Sequence, residues 1–208
     1  LCDRRQRQMC IRDSGGFAHG CAGIMYALAR LSAYTGKKEY LDAAYRAFLY
    51  EKTLYCPKKG GWRDLRADEE LYMSDFKWCH GIAGILLGWK SSLKYFDEAQ
   101  KNVLTQEIQR LTADYPKVLL KEELGLCHGN LGNAMLGKLA DMISWETSLQ
   151  ENTAKSIQIL RAIFCEKDKK AGFHEQYDYS LMTGLAGIGY GLLYNLDKEL
   201  PGILDTRL

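Results

Sequence analysis

Two kinds of apolar segment alternate along this chain. In one, small and large apolar residues follow two glycines spaced three apart. In the other, apolar residues stand at i, i+3, i+4 and i+7 between charges, the pattern of an amphipathic helix. After Gly20-Cys21-Ala22-Gly23, the positions Ile24, Ala27, Leu28 and Leu31 form a helical stripe that stops at Thr35-Gly36, a fitting helix C-terminus. Residues 38–55 predict a more polar helix with Leu41, Ala44, Tyr45, Phe48 and Leu49 on one face. A loop through Pro57, Gly60 and Gly61 leads to Trp62-Arg63-Asp64-Leu65-Arg66 and an acidic stretch from Asp68 to Glu70.

The unit then recurs. Gly81-Ile82-Ala83-Gly84 opens an apolar helix with Ile85, Leu86, Trp89 and Leu93, followed by a polar one over 98–113 that buries Val103, Leu104, Ile108 and Leu111. Gly129-Asn130-Leu131-Gly132 opens the next, with Met135, Leu136 and Leu139, before a polar helix over 147–165. Gly184-Leu185-Ala186-Gly187 opens the last, ahead of a short tail containing Pro201. Successive first glycines are 61, 48 and 55 residues apart, a repeat of helix-hairpin size. No strand-like alternation of useful length interrupts it, so the fold class is all-α. Glycine at these starts permits tight turning and close helix approach. The more apolar helix of each pair is expected to line an inner ring, with the inner-helix N-termini at one end. There the unpaired N–H groups and the macrodipole favour negative charge, which lowers the pKa of a thiol and suits it to metal binding.

Composition narrows the class further. A chain of 208 residues, 47% hydrophobic, is enough for one domain or most of one. A net charge of +2 gives no electrostatic footprint for nucleic acid or an anionic membrane, and no apolar run approaches the ~20 residues of a transmembrane segment. Seven scattered cysteines argue against a disulfide framework and for a reducing compartment. Residues 1–14 differ from the rest: Arg4, Arg5, Arg7 and Arg12 crowd around Cys2 and Cys10 with little periodicity. The tract reads as a non-native leader of translated-adaptor type, or else a disordered basic arm, and takes no part in the fold expectation.

The chemistry concentrates in Trp78-Cys79-His80-Gly81-Ile82-Ala83-Gly84 and Leu126-Cys127-His128-Gly129-Asn130-Leu131-Gly132, where Cys-His-Gly-x-x-Gly occurs twice. Thiolate and imidazole are ligands that zinc prefers, and matching offsets in sister repeats point to a shared metal. Cys79, Cys127 and His128 are three ligands, and His80 follows its cysteine in the same way. Two cysteines with two histidines would close a structural tetrahedron; two cysteines with one histidine leave a catalytic position open. Spacing does not separate these. His19, which has no adjacent cysteine on its N-terminal side, suits acid–base work better than ligation. Cys21, Cys56 and Cys165 read as packing residues, and His174 as a loop residue.

Taken together, Gly-Phe-Ala-His-Gly-Cys-Ala-Gly from Gly16, Gly-Trp-Arg-Asp-Leu-Arg from Gly61, the two Cys-His-Gly motifs and Ser-Leu-Met-Thr-Gly-Leu-Ala-Gly from Ser180 resemble the lanthionine synthetase cyclase family. The likeness is to the C-terminal cyclase domain of two-domain (class II) lanthipeptide synthetases and runs from Gly15 to about Leu208. It implies an α/α toroid of seven inner and seven outer helices, of which residues 15–208 would supply about four inner ones. The earlier repeats and a dehydratase domain would lie elsewhere in the same protein. It also implies zinc on Cys79, Cys127 and His128, with His80 not a ligand, and His19 as the acid–base residue. The implied reaction is Michael addition of precursor-peptide cysteine thiols to dehydroalanine or dehydrobutyrine in a bacterial cytoplasm.

Two departures accompany the likeness. The family's catalytic aspartate belongs to early helices outside this sequence, and Asp75, with Lys77 as the nearest cation, stands where some relatives carry an arginine near the metal. An incomplete ring would leave apolar edges uncovered, so the chain by itself is expected to be poorly soluble or inactive. Two other readings fit the same residues: addition of glutathione or another thiol to dehydrated residues, and a non-enzymatic helical repeat with a structural zinc.

Overall fold

A computed structural model describes residues 15–65, 70–115, 123–139, 154–158, 178–196 and 199–204. The 1–14 tract, part of the acidic stretch after Leu65, Cys165, His174 and most of the expected 147–165 helix lie outside the described residues; 154–158 are helical. The chain divides into two units, one ending at Asp114 and the other beginning at Tyr115.

The first unit opens with a hairpin of α1 (Cys21–Thr35) and α2 (Lys38–Thr53). Gly36 closes α1 in the left-handed region, φ 70°, and its N–H donates to the Ser32 carbonyl at 2.8 Å. The Ser32 hydroxyl donates to the Lys37 carbonyl at 2.9 Å, fixing the turn from inside. The buried face of α1 is Ala22, Met25, Tyr26, Ala29 and Ser32, packed against α2 and against α3 (Ile82–Ser92). This corrects the expected stripe: Ile24 is 53% and Leu31 40% exposed, and Ala27 is exposed too. Both stripes share the helical period. The small residues Ala22 and Ala29 win because they admit close neighbours: a Cβ on Gly88 of α3 would come within 2.7 Å of Ala22.

α3 is buried at every position from Ile82 to Trp89, as a helix without a polar face must be. A short 3₁₀ turn, Leu93–Tyr95, leads to α4 (Glu98–Asp114), where Leu104, Ile108 and Leu111 are buried as expected. Between α2 and α3 lies a small antiparallel sheet: β1 (Tyr55–Cys56), β2 (Gly61–Asp64) and β3 (Leu71–Met73), in that order. Its strands run two to four residues, too short for period-two alternation to register, and β2 buries Gly61, Trp62 and Asp64 but not Arg63. Trp62 pairs with Tyr55 on one side and Met73 on the other, is fully buried, and stands edge-on to Trp89 with ring centroids 6.4 Å apart.

In the second unit α5 (Asn130–Leu139) packs against α6 (Leu185–Leu196). Leu131, Ala134, Met135 and Leu136 of α5 and Ile188 and Tyr194 of α6 are buried. The approach is close at Gly191, where a Cβ would meet Leu131 at 2.8 Å.

Candidate metal ligands and acid–base residue

Among the described residues, His19, Cys79, His80, Cys127 and His128 all sit in loops that directly precede an apolar helix. Before α3, Ile82 N–H donates to the Asp75 carbonyl (3.0 Å), Gly84 N–H to Lys77 (3.1 Å) and Ile85 N–H to Gly81 (3.1 Å). Before α5 the same bonds join Asn130 to Glu123 (2.9 Å), Gly132 to Gly125 (3.4 Å) and Asn133 to Gly129 (3.1 Å). Before α6 they join Leu185 to Asp178 (2.8 Å), Gly187 to Ser180 (3.4 Å) and Ile188 to Gly184 (3.1 Å). The loop thus spends its own carbonyls on the helix's orphan N–H groups, and for α3 no side-chain cap is used.

The second glycine is a steric necessity. A Cβ on Gly23, Gly84, Gly132 or Gly187 would overlap the carbonyl oxygen of Phe17, Trp78, Leu126 or Leu181 respectively, always six residues upstream. The sequence pattern therefore marks one backbone shape used four times.

In the first unit that shape presents His19 and Cys79. Phe17 N–H donates to the Trp78 carbonyl at 3.1 Å and His19 N–H to the Cys79 carbonyl at 3.2 Å, so the two loops are joined along their backbones. Cys79 is buried, 4% exposed, three residues before α3; His19 is exposed, two residues before α1. The His19 ring meets the His80 ring edge-on, centroids 5.6 Å apart. Lys77 is paired with Asp75 at 2.7 Å, so the nearest cation has an anion of its own.

The second unit presents Cys127 and His128, both half-buried, immediately before α5. Cys127 N–H donates to the Met182 carbonyl of the following loop at 2.9 Å. His128 Nε2 lies 3.1 Å from Glu123 Oε1, while its Nδ1 is buried with no hydrogen-bond partner among the described residues. A carboxylate on one imidazole nitrogen leaves the other with its lone pair outward, the arrangement that orients a histidine for a metal. Thiols at Cys79 and Cys127 and this nitrogen at His128 are donors of the kind zinc takes, so the residue set fits such an ion. None of the described cysteines is in a disulfide.

Sequence reasoning missed Glu51. It stands on the buried stripe of α2 with Ala44 and Phe48, where a charge is out of place, and that irregularity was the available signal. It is fully buried. Its Oε1 accepts from Gly16 N–H at 3.0 Å and Ala22 N–H at 3.2 Å, and its Oε2 accepts from the Trp89 indole N–H at 2.8 Å. Burial pushes its pKa up to about 7, against the lowering effect of those three donors.

A family model described as lanthionine synthetase C-like protein matches residues 4–205. The Lactococcus lactis subsp. lactis lacticin 481/lactococcin biosynthesis protein LcnDR2 is 26% identical over 202 residues, covering 88% of this chain and 20% of that protein. The Danio rerio glutathione S-transferase LANCL1 is 30% identical over 188 residues, 85% of this chain and 42% of its own length. Among solved structures, nisin cyclase aligns with a TM-score of 0.64 at 19% identity, over 95% of this chain and 50% of that one; the likeness is one of fold, an α/α toroid. This chain therefore spans between a fifth and a half of the proteins it matches. With a match from residue 4 to residue 205, the chain belongs to the lanthionine synthetase C-like family.

Proposed function

We propose that this chain is part of a zinc-dependent lanthionine cyclase that closes thioether rings in a dehydrated precursor peptide, with Cys79, Cys127 and His128 holding the metal and His19 moving the proton. The observation that carries the reading is His128, whose Nε2 is held by Glu123 while its buried Nδ1 lacks a partner. On this reading the thiols of Cys79 and Cys127, neither of them in a disulfide, supply the two sulfur donors beside it. When bound, zinc would supply a thiolate nucleophile at neutral pH by lowering the pKa of a coordinated thiol.

The chain's own residues do the rest. The sulfur of a peptide cysteine bonds to the β-carbon of dehydroalanine or dehydrobutyrine; the S–H bond and the carbon–carbon π bond are lost. His19, exposed at the loop edge, delivers a proton to the α-carbon as the enolate collapses. Both reacting groups belong to one peptide, so holding them close supplies much of the acceleration. The partners on this reading are the precursor peptide, the earlier cyclase repeats and a dehydratase domain of the same protein, in a bacterial cytoplasm. No helix among the described residues is long and apolar enough to cross a membrane.

The test is mass spectrometry of a dehydrated peptide incubated with the complete cyclase, with thiol alkylation counting unreacted cysteines. Ring closure removes alkylation sites without a change in peptide mass. His19→Asn is expected to leave zinc content unchanged and cut that loss to a slow residual rate; unimpaired ring closure would remove His19 from the mechanism. A second reading draws on the resemblance to a protein named as a glutathione S-transferase. In it an external thiol adds to the dehydrated residue, and the peptide gains the mass of that thiol. A closed structural zinc would instead require a fourth protein ligand, and a thiol probe would not enter its coordination.

A further inference from the structure

We infer that Glu51 is the positioning residue for His19, its buried carboxylate clamping the loop that carries the histidine on both sides. The inference rests on His19 as the acid–base group. The two N–H groups that Glu51 Oε1 accepts belong to Gly16 in the loop and Ala22 in the first turn of α1, three residues before and three after His19. Oε2 is pinned in turn by the Trp89 indole at 2.8 Å, and Trp89 lies in α3, the helix that follows the Cys79 loop. One side chain of α2 thereby ties the His19 loop to the body of the unit, and the His19 N–H to Cys79 carbonyl bond ties it to the Cys79 loop.

Burying a carboxyl group is costly, and no cation among the described residues pairs with this one to offset it. Three N–H donors on one carboxyl are what make the burial tolerable. Two of those donors could not reach water if the clamp were absent, because Gly16 is buried and Ala22 is fully buried. The His19 side chain has no hydrogen bond of its own among the described residues, so its placement depends on the backbone beneath it. Glu51 touches no reacting atom; it acts through the loop.

The experiment compares Glu51→Leu, Glu51→Gln, His19→Asn and the double variants in the complete cyclase, reading kcat, KM, zinc content and hydrogen exchange at the Gly16 and Ala22 amides. Leucine removes both acceptors, whereas glutamine keeps one oxygen for the loop. Glu51→Leu is expected to lower kcat about 100-fold with KM and zinc unchanged, the scale on which a misplaced catalytic group loses rate. Glu51→Gln should recover most of that rate. In the His19→Asn background Glu51→Leu should cost no further rate, because the residue it positions is gone. An equal loss in both backgrounds, or amide exchange unchanged in Glu51→Leu, overturns the clamp. If the leucine variant does not fold, the glutamine variant carries the same cycle with a smaller loss. Failure of the His19 reading is separable, since His19→Asn alone would then close rings normally, and amide exchange would still decide whether Glu51 holds the loop.

Discussion

The loop before α5 and the loop before α6 share one backbone and differ in what it carries. Both close on themselves through the same three N–H to carbonyl bonds, and both need a glycine where a Cβ would strike the carbonyl six residues upstream. One presents Cys127-His128 and the other Met182-Thr183 at the same stations. The comparison separates two things that a motif blends together. Glycines and carbonyls specify the turn into the helix, and the residues at the two stations between them specify what chemistry it carries.

The largest expected effect should ignore that difference. Gly132→Ala and Gly187→Ala each drive a Cβ into backbone, so both should destabilise by about 3 kcal/mol or more in urea unfolding. If Gly187→Ala is mild while Gly132→Ala is severe, the two loops are not equivalent. Metal content comes next and should follow chemistry alone: Cys127→Ala is expected to abolish bound zinc by elemental analysis, and Met182→Ala to leave it unchanged.

The third effect concerns the carboxyl group under the His19 loop. Its folded pKa is raised from 4.5 to about 7, so the stability it contributes is fully present below pH 4.5 and is lost as the pH rises through about 7. The span is on the order of 3 kcal/mol, so unfolding midpoints should rise on acidification across that window, and Glu51→Gln should flatten the slope. A slope that survives in the glutamine variant would assign the titration elsewhere. The smallest expected effect is Glu123→Gln, which keeps the loop carbonyl but weakens the partner of His128 Nε2. Zinc affinity should fall about 10- to 100-fold, read by competition with a chelating dye. The corresponding Asp178→Asn should leave it untouched.

What the sequence disclosed, and what it did not, follows from the reach of each signal. Helical periodicity and paired glycines located α1 through α6, since both are local patterns and recur. Gly36 ended α1 where its conformational freedom made that legible. The buried face of α1 was misread because Ile24 and Leu31 outweigh Ala22 and Ala29 in hydrophobicity, although the smaller pair permits closer packing. The sheet was invisible because two to four residues cannot display a period. The Cys-His stations were legible through repetition, whereas Glu51 was not, because its partners lie 29 to 38 residues away and nothing near it in the chain announces them.

The self-closed loop before α6 also has an engineering consequence. Because the three bonds that cap the helix run from main chain to main chain, exchanging the side chains at 182 and 183 gives up the 2.9 Å Thr183 Oγ1 to Ser180 Oγ contact but leaves those three in place. Met182→Cys with Thr183→His would install the cysteine–histidine pair of its neighbour on a scaffold already shaped to receive it. Such a socket lets reactive groups be added or withdrawn one helix at a time, at little risk to the chain that holds them.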